Sequence, residues 1–208
     1  MLGDINLPLI MVAALIATIS PGPATLAIAG TSMASGRRAG CVLAAGIFTG
    51  SCTWSLSAAL GLAAVMVAHG WIIEMVRYGG GAYLLFLGVK SALAAIRNKP
   101  LVVAPVTAWS LRRTYMKGLL LHLTNPKAIL FFGSLFAVGV PPGTPVHLLG
   151  VVVVAVACQS LFFFMLYAVV FSSPPAVAFY MRMRRPLEAG FALAFGAAGL
   201  NILTARLD

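Results

Sequence analysis

The chain has 208 residues, of which 61% are hydrophobic and 9% charged, and its mean hydropathy is +1.02. A soluble domain carries about 25% charged residues to keep its surface in water. An ordinary soluble fold is therefore excluded, and no hydrophilic stretch is long enough to hold a second domain. The net charge of +10 raises the question of nucleic acid. The basic residues, however, lie in short clusters between apolar runs, as the preference of Lys and Arg for cytoplasmic loops dictates. No nucleic-acid partner is expected.

The first apolar run covers residues 8–34 and follows Asp4 with no basic residue before it. It outlasts a signal-peptide core and reads as a retained span. A short basic connection at residues 35–38 leads to the second run, 39–68, where Gly46 and Gly50 have the small-xxx-small spacing of closely approaching helices. After a break at residues 69–71 comes the third run, 72–96. Glu74 and Arg77 on it are spaced as a helix-surface pair, and Lys90 near its end snorkels to the headgroups. The basic segment 97–117 separates this half from the runs 118–139, 148–171 and 187–203, which are joined by turns at 141–145 and 181–186. Gly190, Gly196 and Gly199 on the last run read as packing positions. Cys41, Cys52 and Cys158 lie inside apolar runs; an odd number without ligand spacing gives no disulfide framework and no metal site.

Arg37 and Arg38 fall in the first connection, Arg97, Lys99, Arg112, Arg113 and Lys117 in the third, and Arg182, Arg184 and Arg185 in the fifth. The second holds Glu74 and Arg77, and the fourth has no Lys or Arg. This alternation places the odd connections in the cytoplasm and both termini outside. The expected fold is an all-α polytopic membrane protein of about six spans, each near the ~20 residues that cross a bilayer core.

Two runs are interrupted, at Ser20-Pro21-Gly22-Pro23 and at Asn125-Pro126-Lys127. Proline lacks an N–H and frees a carbonyl four residues back, so Pro21 and Pro23 free Ala17 and Ile19, and Pro126 frees His122. At about 1.5 Å per residue, Ser20 lies roughly 20 Å from Pro8 and Asn125 roughly 12 Å from Gly118. In a core of ~30 Å these depths nearly coincide. Ser20-Pro21 and Asn125-Pro126 each read as a cap followed by Pro, the start of a new helix. Two helix N-termini then point at one region from opposite sides, an arrangement that suits an anion. The chain accordingly reads as an inverted 3+3 repeat with its first and fourth helices broken in the membrane. Residues 1–96 form one half, 97–117 a basic cytoplasmic loop and 118–208 the other half. Paired interrupted helices point to a secondary-transporter site.

Lys127 sits in the first turn of the restarting helix, where it opposes that helix's dipole. The four acids, Asp4, Glu74, Glu188 and Asp208, all fall near span ends. The partner of Lys127 is then either a substrate carboxylate or the water of a cytoplasm-facing cavity. His122 either titrates or hydrogen-bonds inside the bundle, and Gln159 is either an interhelical hydrogen bonder or a substrate contact. Trp54, Tyr83 and Tyr167 read as packing or interfacial residues.

The motifs Ser20-Pro21-Gly22-Pro23, Gly36-Arg37-Arg38-Ala39-Gly40, the Gly46/Gly50 region through Gly61-Leu62, GGGAYLLFLG at 79–88 and KGLLLHLTNPKAILFFGSLF at 117–136 resemble those of LysE/RhtB-type amino-acid exporters of bacterial inner membranes. The likeness runs over nearly the whole chain and is nearest the threonine/homoserine-exporting branch. It implies export of an amino acid or close analogue from the cytoplasm by proton antiport, with Ser20, Pro21, Gly22, Pro23, Asn125, Pro126 and Lys127 forming the substrate region. The expected partners are an amino acid, protons and the lipid bilayer, with a homodimer left open and no cofactor. The first motif reads PGPA and lacks the Pro-x-Gly-Pro-Gln-Asn form of the lysine- and arginine-exporting branch, which favours a neutral substrate over a basic one. The chain departs from relatives at Ala24, where many have Asp, at Gln159, where an acid is common, and at His122, where Asn is common. The departures leave His122 and Gln159 as the remaining proton or polar candidates. A membrane-embedded enzyme is disfavoured because paired carboxylates or metal ligands are lacking within the spans; a channel or structural subunit remains the competing class.

Overall fold

The computed structural model describes residues 5–20, 22–68, 70–97, 110–141 and 144–204. Among these there are seven helices and no strand: α1 (Leu7–Ile19), α2 (Pro23–Ala68), α3 (Gly70–Arg97), α4 (Leu111–Leu123), α5 (Pro126–Gly139), α6 (Val146–Val170) and α7 (Pro174–Thr204). Among the described residues two stretches, Pro23–Gly61 and Val146–Val170, are individually long and apolar enough to cross a membrane. A third joins Leu111–Leu123 to Lys127–Phe136 across a bend of 57°. Helix α1 is apolar but short. Among the described residues, two or three helices thus have the length and apolarity of a span, against about six expected from the sequence.

Local chemistry sets the helix ends. Asn6 caps α1 by accepting from the Leu9 N–H at 3.1 Å. The helix stops at Ser20, whose backbone is extended (φ −64°, ψ 137°) ahead of a proline. Ser110 caps α4, and Asn125 caps α5 with Pro126 following it.

Two connections read from the sequence change, and a third, at residues 35–38, is found where expected. Gly36 there divides α2 into two helices that fold back on each other, so that a Cβ on Gly40 would lie 3.2 Å from the Ser32 Cα. Its φ is 80° and its ψ 173°. That conformation is open to glycine and strained for other residues. Arg112, Arg113 and Lys117 belong to α4, since Ser110 starts a helix seven residues ahead of Gly118; residues 98–109 lie outside those described. The segment 181–186 is helical within α7, and Arg185 donates from Nε to the Ala95 carbonyl at 3.2 Å, near the C-terminal end of α3. The side chains of Glu74 and Arg77 lie outside those described.

The interior is unusually polar and the exterior apolar. Thr18, Thr25, Ser51, Ser55, His122 and Ser160 are buried, whereas Leu193 is 76% and Phe162 61% exposed. Outward-facing apolar side chains of this size suit a lipid surface. Apolar packing still joins the helices. Ile10, Ala14, Phe132 and Val152 pack together where α1, α5 and α6 meet, and Ile28, Leu43, Ile47 and Phe164 join α2 to α6. Leu84, Leu87, Phe191 and Phe195 pair α3 with α7 against Ile16 and Ile19 of α1.

Glycines set how closely the helices approach. A Cβ on Gly46 would lie 2.1 Å from the Tyr115 carbonyl oxygen, and one on Gly118 would lie 2.3 Å from that of Leu43. The backbones of α2 and α4 therefore touch, as the Gly46/Gly50 spacing anticipated. Gly88 and Gly199 serve the α3–α7 seam in the same way, against Gly196 and Gly81. Gly118→Ala should destabilise the protein by about 1–3 kcal/mol, because the obstructing atom is backbone and cannot swing away. Gly150, with open space around it, is the matched control: Gly150→Ala should leave thermal unfolding in detergent unchanged or slightly raised.

Candidate functional site

The first break is a helix end followed by a helix start. Ser20 is the C-terminal cap of α1, while Gly22 begins α2: its carbonyl accepts from the Leu26 N–H at 2.9 Å, and its own N–H donates to Thr25 Oγ1 at 2.9 Å. The Thr25 hydroxyl reaches back as the third helical residue does in a capping box. Ser20 therefore closes one helix and does not open the next, a correction to the expected cap. At the second break Asn125 does open α5, its Oδ1 accepting from the Lys127 N–H at 3.0 Å. The His122 carbonyl, expected to be freed by Pro126, accepts from the Asn125 N–H at 3.2 Å.

The carbonyls freed at the first break are held by side chains from distant helices. Lys127 Nζ donates to the Ala17 carbonyl at 3.1 Å, to the Ser20 carbonyl at 3.2 Å and to Ser20 Oγ. The Tyr167 hydroxyl on α6 donates to the Ile19 carbonyl at 2.7 Å. An ammonium has three N–H donors, and here three acceptors surround it. The end of α1 also carries the partial negative charge of a helix C-terminus, which favours a cation. Lys127, expected to lack a partner in the protein, thus has one: α1 compensates for the unfavourable dipole of α5. Tyr167, expected as packing, is a clamp on the same break.

The two breaks meet at this contact. Ser20, Gly22, Asn125 and Lys127 line a small buried cavity of about 50 Å³ on one side and a larger cavity of about 730 Å³ on the other. The small one is walled by Thr18, Ser51, Ser160 and His122. His122 is 5% exposed and stands edge-on to Phe164 at 6.0 Å; neither of its ring nitrogens has a hydrogen-bond partner among the described residues. The larger cavity extends between α3 and α7, past Pro23 and Tyr83 to Lys90, Arg184 and Glu188. Its size falls within the ~300–1,000 Å³ usual for small-molecule pockets.

Among the sequence-derived candidates, Ser20, Gly22, Pro23, Asn125, Lys127 and His122 come together. Pro21 lies outside the described residues, and of Pro126 only the backbone is described. Gln159 lines neither cavity and instead donates to the Met11 carbonyl at 3.0 Å, within the α1–α6 contact. Glu188, taken from the sequence as a span-end acid out of range of Lys127, is 4% exposed and shares the larger cavity with it. The run of Arg182, Arg184 and Arg185 concealed this, because a basic cluster reads as a loop although α7 continues through it. Among the described residues no group of three or more His, Cys, Asp or Glu residues is placed to hold a metal.

An apolar exterior around a polar core, with interrupted helices meeting inside, defines a multi-pass α-helical membrane protein. The chain belongs to the LysE type translocator family, which matches residues 15–206. It is 34% identical over 195 residues to an uncharacterized membrane protein of Pseudomonas aeruginosa, covering 90% of each chain. It is 30% identical to the threonine efflux protein of Escherichia coli, covering 92% of this chain and 94% of that one. A leucine efflux protein of Salmonella choleraesuis is 34% identical over 64% of this chain and 63% of its own. No solved structure matches significantly.

Tyr167→Phe removes the hydroxyl that donates to the Ile19 carbonyl without changing the ring. The variant should lose about 1–3 kcal/mol of stability, the usual consequence of orphaning a buried acceptor, measured by thermal or denaturant unfolding in detergent.

Proposed function

We propose that the protein is a secondary active exporter of a small neutral amino acid, threonine- or homoserine-like, with the substrate carboxylate received at Lys127 between the two helix breaks. The meeting of both breaks at one lysine, on one cavity of ligand size, carries this reading. Family membership and the relatives named for threonine and leucine efflux support the amino-acid class. Their names also favour a transporter over an enzyme.

The chemistry follows from Lys127. Its present acceptors are neutral oxygens. A carboxylate forms charge-assisted hydrogen bonds roughly twice as strong as neutral ones, so it displaces a carbonyl or the Ser20 hydroxyl from Nζ. The N-terminal N–H groups of α2 and α5, which border the same cavity, add positive potential. Lys90, Arg184 and Lys127 outnumber Glu188 along the cavity wall, and this surplus of positive charge opposes a cationic side chain. The basic-substrate alternative is disfavoured on that ground.

Within this reading, residues 1–96 and 118–208 are inverted halves in the bacterial inner membrane, rocking about the broken helices α1–α2 and α4–α5. Residues 97–117 and the other odd connections face the cytoplasm and the termini lie outside. The larger cavity, rimmed by Lys90 and Arg184, is then the cytoplasmic approach. The counter-proton is assigned to His122, whose unpartnered imidazole borders the small cavity on the far side of Lys127.

Vesicles reconstituted with the protein and offered labelled threonine, homoserine, leucine, cysteine and lysine should show saturable, proton-gradient-dependent movement of a neutral amino acid and none of lysine. Movement of no amino acid overturns the function, and unsaturable flux points to a channel. Lys127→Ala should lower transport at least about 30-fold, equal to ~2 kcal/mol of lost charge pairing, in protein that still elutes as a folded species. A second variant, His122→Phe, should abolish acceleration by a pH gradient while retaining substrate counterflow exchange. Undiminished gradient response in that variant removes His122 from the proton path.

A further inference from the structure

An α-amino acid carries two charges, and Lys127 accounts for one. The proposed function leaves the ammonium without a stated partner. The side chains of the other three acids, Asp4, Glu74 and Asp208, lie outside those described. Glu188 is described. It lines, from α7, the same cavity that Lys127, Asn125 and Ser20 line, and it is 4% exposed.

The position of Glu188 is fixed by packing. Leu187 and Phe191 on either side of it pack with Leu84 and Leu87 of α3, so the α7 face that carries Glu188 is held toward α3 and the breaks. Ser91 on α3 lies within hydrogen-bonding reach of its carboxyl group. Arg184, one turn earlier on α7, acts on it electrostatically ahead of Lys127 and Lys90, and Lys127 feels Glu188 in return. Among the described residues no direct ion pair joins Glu188 to Lys127. The two opposite charges therefore face one cavity without neutralising each other by contact. That is the layout a zwitterion requires, because each end meets an opposite charge with the ligand between them.

We propose that Glu188 binds the ammonium group of the substrate while Lys127 binds its carboxylate, so that the cavity between α3, α7 and the two breaks is a zwitterion site. This assignment rests on the proposed function and deepens it. Glu188 is then the specificity residue that selects α-amino acids over carboxylic acids of equal shape. The substrate side chain is left facing the apolar and aromatic part of the wall, Tyr83, Phe86, Leu87 and Phe195.

The test compares an amino acid with its des-amino analogue. Competition against the transported amino acid is measured in vesicles with 2-aminobutyrate, 2-hydroxybutyrate and butyrate. In the wild type, 2-aminobutyrate should compete at least about 30-fold better than the other two, the discrimination expected of a lost charged contact. Equal competition by all three overturns the assignment without any variant being made. In Glu188→Gln this ratio should collapse to within about threefold, chiefly through weaker binding of the amine, and Glu188→Asp should restore part of it. A purely structural role would lower all three ligands together and leave the ratio intact, which would also overturn the assignment. Should Glu188→Gln fail to fold, the wild-type comparison and Glu188→Asp still decide. Failure of the wild type to move any amino acid refutes the proposed function instead, so the two failures are distinguishable.

Discussion

The structure depends on how the end of helix α1 is satisfied inside the bundle. A helix that stops away from water leaves carbonyls that hydrocarbon cannot solvate. Here the Ala17, Ile19 and Ser20 carbonyls are met by Lys127 from α5 and Tyr167 from α6. These contacts span more than 100 residues of sequence and tie the N-terminal break to the C-terminal half of the chain. They also explain how a buried lysine is tolerated. Its charge lies at the negative end of one helix while its backbone sits at the positive end of another.

Everything around this contact keeps the breaks in place. The glycines of α2 and α4 let two backbones touch, which carries α4 deep enough for Asn125 to reach Ser20 and Gly22 across the small cavity. The second pair, α3 and α7, packs through its own glycine seam and covers the opposite side, bounding the larger cavity. Some interior hydroxyls bond within their own helices, as Thr18 does to the Ala14 carbonyl at 2.7 Å and Ser134 to that of Leu130 at 2.7 Å, while the Thr49 hydroxyl pairs with that of Tyr115 across α2 and α4 at 2.8 Å.

Much of this was legible in the sequence where a local rule governs the outcome. Asn125-Pro126 starts a helix because cap and proline chemistry is short-ranged, and Gly46 and Gly50 mark a close approach because only glycine permits it. The same rules misplace Ser20, since Ser-Pro and Gly-Pro are both start signals two residues apart and the tertiary clamp decides between them. The basic cluster at Arg182 to Arg185 was read as a loop on charge alone, yet it is accommodated within a helix whose Arg185 caps α3. That error in turn hid Glu188. Which face of α7 turns inward depends on packing against α3, and no pattern within α7 itself records it.

On the proposed function the protein must be stable both loaded and empty, and the Lys127 contact suits that requirement. With no anion present, the ammonium rests on three neutral oxygens of the α1 end, so the empty site does not bury an unpaired charge. On the proposed reading, an arriving carboxylate exchanges those weak acceptors for a stronger one. The energy difference between the two states is then small, because one set of partners replaces another. A site of this kind holds its substrate without trapping it, as repeated turnover demands. Had Lys127 been paired directly with Glu188, loading would have had to break a buried ion pair, a step costing about 3–5 kcal/mol. With no such pair formed among the described residues, that barrier does not arise.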